Sequence, residues 1–194
     1  MKRNFSNFLL AATVLLSTSF AGQAAEQFTL DDHHTYVLWN INHLGFSTQV
    51  GKWYAKGFVV LDKEHPETSK VEATIAVDTI STGLPELDEH LKGPLFFDTK
   101  KFPTATFISN KVDVLSDTSA KVEGLLTLHG VSKPVTLMVK LNKTGKDPIN
   151  DRMTAGFSAT TQIKRSDFNM NTLLPAVGDD VSIEIGAEAY KSNP

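Results

Sequence analysis

The chain has 194 residues, 41% hydrophobic and 21% charged. That is the composition of an ordinary folded domain, and it excludes disorder, collagen and coiled coil. Lys and Arg total 19 against 22 Asp and Glu, a net charge of -3, so the basic footprint that a nucleic-acid binder needs to neutralise phosphates is missing. Cysteine is absent, which excludes disulfides, thiolate zinc sites, thiol nucleophiles and a lipoprotein attachment point.

Residues 1–24 read as a cleaved secretory signal. Lys2 and Arg3 form a charged start, and Phe8 to Leu16 form an apolar run too short to span a bilayer. Gly22-Gln23-Ala24 then places small residues where a signal peptidase inspects them. Cleavage after Ala24 leaves residues 25–194 as one soluble, exported domain. No second apolar stretch approaches membrane length, so no transmembrane segment is expected.

Alternation with period two runs through the remainder. Val37, Trp39, Ile41 and His43 share one face of a first strand, and Trp53, Ala55, Gly57, Val59 and Leu61 one face of a second. Val71, Ala73, Ile75 and Val77 follow, then Ala105, Phe107 and Ser109, then Val122, Gly124, Leu126 and Leu128. Val135, Leu137, Val139 and Leu141 form the next set, and Phe157, Ala159, Thr161 and Ile163 another. Val181, Ile183, Ile185 and Ala187 complete eight strand-like segments. Lys63-Glu64-His65-Pro66, Asp117-Thr118-Ser119, His129-Gly130 and the longer stretch Lys143 to Pro148 read as connections. The spacing of Leu84, Leu87 and Leu91, ended by Gly93-Pro94, predicts one short helix.

One apolar and one wet face per strand indicate antiparallel pairing. Eight such strands with one helix point to an all-β, eight-stranded up-and-down barrel, with a β-sandwich as the competing architecture. Closure would remove the sheet edges along which an exported protein could aggregate. A barrel of eight strands can be filled by its own side chains or hold one small ligand. On the inner face Trp39, Trp53, Phe107 and Phe157 would line such a lumen, while Ala73, Gly124 and Ala159 would leave room.

Catalytic signatures are weak. Neither a Gly-x-Ser-x-Gly elbow nor a phosphate-binding glycine loop occurs. Ser166-Asp167 reads as a turn or cap. His33 and His34 read as a polar strand entrance, His65 as loop and His129 as a hairpin residue. His90, beside Asp88 and Glu89, reads as a solvated helix face, since the spacing is no metal-ligand pattern. No metal, cofactor or catalytic residue is expected. The Phe96-Phe97 doublet after the helix would either cap one barrel end as core or line the mouth of an apolar tunnel.

Several segments together resemble one family. They are His43-Leu44-Gly45-Phe46 with Gly51 after it, His90-Leu91, Phe96-Phe97-Asp98, and Phe102 to Phe107 with Ser109. The most specific block is Gly124 to Val135, and Ile163-Lys164-Arg165-Ser166-Asp167-Phe168 closes the set. In this order they are similar to the YceI-like family of exported bacterial proteins, over essentially all of residues 27–190. The resemblance implies a lipocalin-like barrel, a periplasmic location, and a polyisoprenoid or isoprenoid-quinone-type lipid in the lumen, without catalysis or metal. The ligand wall would then comprise Val37, Trp39, Ile41, Phe46, Trp53, Ile75, Leu87, Phe96, Phe97, Phe107, Leu126, Leu128, Leu137, Phe157 and Ala159. By inward parity His43, Ser109 and Thr161 would be either the polar partners of a head group or hydrogen-bonded core groups. An enzyme acting on an apolar substrate inside the barrel, a stress-related secreted protein with a packed barrel, and a homodimer stay open as alternatives.

Overall fold

The computed structural model describes residues 25–192, so the expected leader lies outside the described residues. All eight alternating runs are strands, and one further strand precedes them. In chain order these are β1 (Glu26–Leu30), β2 (Tyr36–His43), β3 (Ser47–Leu61), β4 (Lys70–Ala76), β5 (Thr104–Ser116), β6 (Ser119–Leu128), β7 (Val131–Lys146), β8 (Met153–Lys164) and β9 (Val177–Lys191). Every pairing is antiparallel, in the order β3-β2-β9-β8-β7-β6-β5-β4, and β4 pairs back onto β3 to close the ring. The molecule is an eight-stranded closed barrel, and the closing β3–β4 pairing rules out the sandwich.

Nine segments fill eight strand positions because β1 and β2 are two halves of one interrupted strand. β2 pairs with the first half of β3, from Tyr36↔Tyr54 to His43↔Ser47, and β1 with the second half, from Thr29↔Phe58 to Glu26↔Leu61. On their other side β2 and β1 follow each other along β9. The break at residues 31–35 is stitched to both neighbours. Asp31 N–H and the Thr35 hydroxyl donate to the Glu188 carbonyl at 2.8 and 3.1 Å, and Ala55 N–H donates to the Thr35 carbonyl at 3.3 Å. Alternation did not expose β1, whose five residues carry only Phe28 and Leu30 as inward anchors. Both are buried, against Ala155 and Ala189.

One expected connection is corrected. Lys143 to Lys146 are not loop: β7 continues to Lys146, paired with Met153 across the ladder, and the turn occupies residues 147–152. A bulge between Leu141 and Lys143 absorbs the polar interruption that had the look of a loop. The hairpin at His129-Gly130 is as expected. Both residues have positive φ, 50° and 74°, the two-residue geometry that matches strand twist.

The helix, α1 (Pro85–Lys92), starts with Pro at its first position and ends at Gly93. Asp88 ties it to the preceding turn by accepting from Thr82 N–H and Oγ1, both at 2.7 Å. α1 lies in the long connection from β4 to β5, at the barrel end that also carries the β2–β3, β6–β7 and β8–β9 connections. The opposite end carries the β3–β4, β5–β6 and β7–β8 connections.

Candidate ligand cavity

Inward side chains do not fill the barrel. A cavity of about 710 Å³ runs along it, within the ~300–1,000 Å³ usual for small-molecule sites. Its midsection is apolar, with Ile75, Phe107, Leu126, Leu137, Phe157, Ala159 and Ile185 on the wall. It reaches the surface at both ends. One opening lies among His43, Gln49, His90, Phe96 and Leu173, on the α1 side; the other lies among Lys63, Lys70 and Ser116 to Ser119.

The α1 side is narrowed by an aromatic cluster. Trp39 and Trp53 are 5.8 Å apart between centroids, and Phe97 meets Trp53 edge-on at 5.2 Å. Trp39 lies against the backbone of Gly51, its partner across the ladder. Both indole N–H groups are buried without a hydrogen-bond partner. Such donors are uncommon in folded proteins, and each leaves a desolvation penalty unrecovered. The space over Gly124, expected to be free, is taken by the ring of Phe107.

Below the 171–176 segment a buried cation fixes this end. Arg165 is buried and its guanidinium donates to four carbonyls: Nε to Gly178 at 2.7 Å, Nη1 to Met170 and Thr172 at 2.8 Å, and Nη2 to Val177 at 3.0 Å. Burial pulls its pKa down and the nearby Asp179 carboxylate opposes that. Asp179 accepts from Ser166 N–H at 2.9 Å and Ser166 Oγ at 2.8 Å. Burial works to raise the Asp179 pKa, but these bonds, with Lys164 and Arg165 nearby, hold it below the usual carboxylate value. Ser166-Asp167 is therefore a short 3-10 turn anchored to β9, as its sequence suggests.

The structure places nearly all the expected wall residues on the cavity: Val37, Trp39, Ile41, His43, Trp53, Ile75, Leu87, Phe96, Phe97, Phe107, Leu126, Leu128, Leu137, Phe157, Ala159 and Thr161. Two are elsewhere. Phe46 is in the β2–β3 turn with 91% of its surface exposed, because Gly45 at φ 74° reverses the chain before it. Ser109 sits beside the β5 bulge and spends its hydroxyl accepting from Val71 N–H at 2.9 Å. Thr161 is on the wall, but its hydroxyl donates to the Thr136 carbonyl at 2.9 Å. Arg165, Met170, Leu173 and Val177 were missed. The first three lie in an aperiodic segment, and no strand pattern marks them.

Nothing near the cavity has the constitution of a metal site. Among the described residues there is no group of three or more His, Asp or Glu able to hold an ion. Asp88 is engaged by Thr82, Glu89 pairs with Lys92 at 2.8 Å, and the His90 ring packs tilted against Phe96 with centroids 4.9 Å apart. His129 Nδ1 donates to the Phe168 carbonyl at 3.0 Å.

Comparison with known proteins agrees with this geometry. The family model of the YceI-like domain matches residues 28–189. The chain belongs to the YceI-like family. "Protein YceI" of Salmonella arizonae is 37% identical over 192 residues, 98% of this chain and 99% of that one. Among solved structures, Burkholderia cenocepacia BcnA superposes with a TM-score of 0.72 at 25% identity, over 82% of this chain and 99% of its own. A polyisoprenoid binding domain from Saccharophagus degradans, implicated in plant cell wall breakdown, has a TM-score of 0.67 at 12% identity, over 85% and 98%. At that identity the likeness is one of fold.

Proposed function

We propose that the chain is an exported lipid-binding protein that holds a polyisoprenoid or isoprenoid-quinone-type molecule in its lumen, as a carrier or reservoir and not as an enzyme. The observation that carries the reading is a lengthwise apolar cavity of about 710 Å³ in a YceI-like barrel. The Saccharophagus neighbour, a polyisoprenoid binding domain of the same fold, supports it. Residues 1–24 would direct export, and their cleavage would release the domain of residues 25–194 in the periplasm. Among the described residues no helix is long and apolar enough to cross a membrane.

Binding would be driven by transfer of the prenyl tail from water, roughly 0.8 kcal/mol per buried CH₂, offset largely by ordering of the chain. The wall residues named above would contact the tail. In this reading the aromatic cluster of Trp39, Trp53 and Phe97 packs on the ligand at the α1 side, and His43 flanks the opening. Mass spectrometry of organic extracts from natively purified protein tests the proposal: a stoichiometric prenyl lipid is expected, and repeated extraction of none would refute it.

A further inference from the structure

We infer that the α1-side opening is the docking face for a lipid bilayer, the phase from which the ligand enters; this rests on the function proposed above. Three separate connections meet at that opening, and each turns a large apolar side chain to solvent. The β2–β3 turn presents Leu44 at 47% exposure and Phe46 at 91%. The segment after α1 presents Leu95 at 63%, and the 171–176 segment Leu173 at 57%. Hydrogen bonds hold the three together: Leu44 N–H donates to the Ala176 carbonyl at 3.0 Å, and Thr172 Oγ1 to the Leu95 carbonyl at 2.6 Å. The patch is continuous with the cavity, since Leu173 belongs to both and Leu95 precedes the wall residue Phe96.

The backbone makes this placement harder to dismiss as ordinary surface. Leu44 and Leu173 adopt positive φ, 58° and 63°, a conformation suited to Gly or Asn and disfavoured for branched side chains. At both positions a residue that the turn disfavours also exposes apolar surface to water. Contiguous exposed apolar side chains around an opening mark a surface that is covered in use. The other barrel end differs. Its exposed apolar residues Ile149 and Leu115 do not line the cavity, and the connections there also carry Lys63, Glu64, Asp117, Asp147, Asp151 and Arg152. A ligand of long apolar chain dissolves poorly in water, so its donor is an apolar phase, and the apolar rim is the one that can enter such a phase.

Trp39 and Trp53 are the only tryptophans in the chain and both line the cavity, so quinone quenching of their fluorescence reports occupancy. The test compares the native protein with the double variant Leu44→Asn, Phe46→Ser, neither residue lining the cavity, in which Asn suits the positive φ of position 44. A long-chain ubiquinone is supplied either in phosphatidylethanolamine–phosphatidylglycerol vesicles or in detergent micelles. The variant should quench normally from micelles, but its rate from vesicles should fall about tenfold or more, the factor implied by losing one side chain's burial. Co-flotation with quinone-free vesicles should fall in parallel. Equal vesicle rates for the two proteins would overturn the docking face while leaving the cavity's function intact. So would a dimer in sedimentation that the variant abolishes, since a second copy would then cover the patch. Absence of quenching in either medium would remove the ligand reading itself, and the docking face with it.

Discussion

Gly51 and Trp39 face each other across the β2–β3 ladder, and the Trp39 indole occupies the space where a side chain at position 51 would begin. A Cβ there would lie 2.2 Å from Trp39 Cζ2 and 2.8 Å from its Nε1. The absence of a side chain at residue 51 lets the ring lie against the barrel wall instead of across the lumen. Gly51→Ala should therefore push the indole inward, destabilise the protein by about 1–3 kcal/mol through overpacking, and weaken prenyl-lipid binding. Urea unfolding and lipid content of the same preparation check both effects.

Parity predicts a contrast on β6. Leu126 points into the cavity, whereas Lys121 is exposed on the opposite face. Leu126→Asp should lower stability by several kcal/mol or shift the new carboxyl to its neutral form. Lys121→Asp should stay within about 0.5 kcal/mol. Coincident urea midpoints for the two variants would contradict the inside–outside assignment.

Filling the lumen separates ligand binding from folding. Ala159 is a small wall residue on β8, between Phe157 and Thr161 on the same face. In an open cavity Ala159→Phe should abolish co-purified lipid and leave the denaturation midpoint of ligand-free protein nearly unchanged. In a packed barrel it would cost about 1–3 kcal/mol. Lipid content and midpoint, measured together, distinguish the two.

Arg165 satisfies four carbonyls at once, which a shorter or uncharged side chain cannot do. Arg165→Met should orphan several of them at about 1–3 kcal/mol each and loosen the 171–176 segment. Hydrogen exchange at Met170 to Val177 should rise more than exchange on β6.

Acid stability should depend on Asp179. Its pKa is lowered in the folded protein, so its contribution is complete above the ordinary carboxylate pKa of about 3.9 and is lost as pH falls through the lower folded value. Asp179→Asn should flatten that part of the stability–pH curve and leave the neutral-pH slope unchanged. Chemical denaturation at a series of pH values is the measurement.

Much of the barrel was legible because a closed sheet with a dry lumen and a wet exterior forces strict alternation along every strand. The parity of Trp39, Trp53, Phe107 and Phe157 located the wall without any contact information. Legibility ended where period two ended. Phe46 is one residue past a glycine turn, where parity has no meaning, so its place beside His43 in sequence was no guide to its place in space. Ser109 has inward parity, but the adjacent bulge and the needs of β4's first amides claimed its hydroxyl. Arg165 stood in a block of the family resemblance, but its buried role gave no signal because its partners are carbonyls, which every residue carries. β1 was too short to show a period.

The interrupted strand also constrains the timing of assembly. β1 and β2 are the first elements of the domain, yet one side of both is completed only by β9, the last, up to Lys191. A chain delivered N-terminus first, from a ribosome or through a translocation pore, cannot shut its ring until the final fifteen-residue strand has emerged. Until then the two tryptophans and the rest of the inner face stay open to water and to other chains. That interval is the one in which a holding chaperone would act, and a polypeptide cut short before Val177 would never leave it.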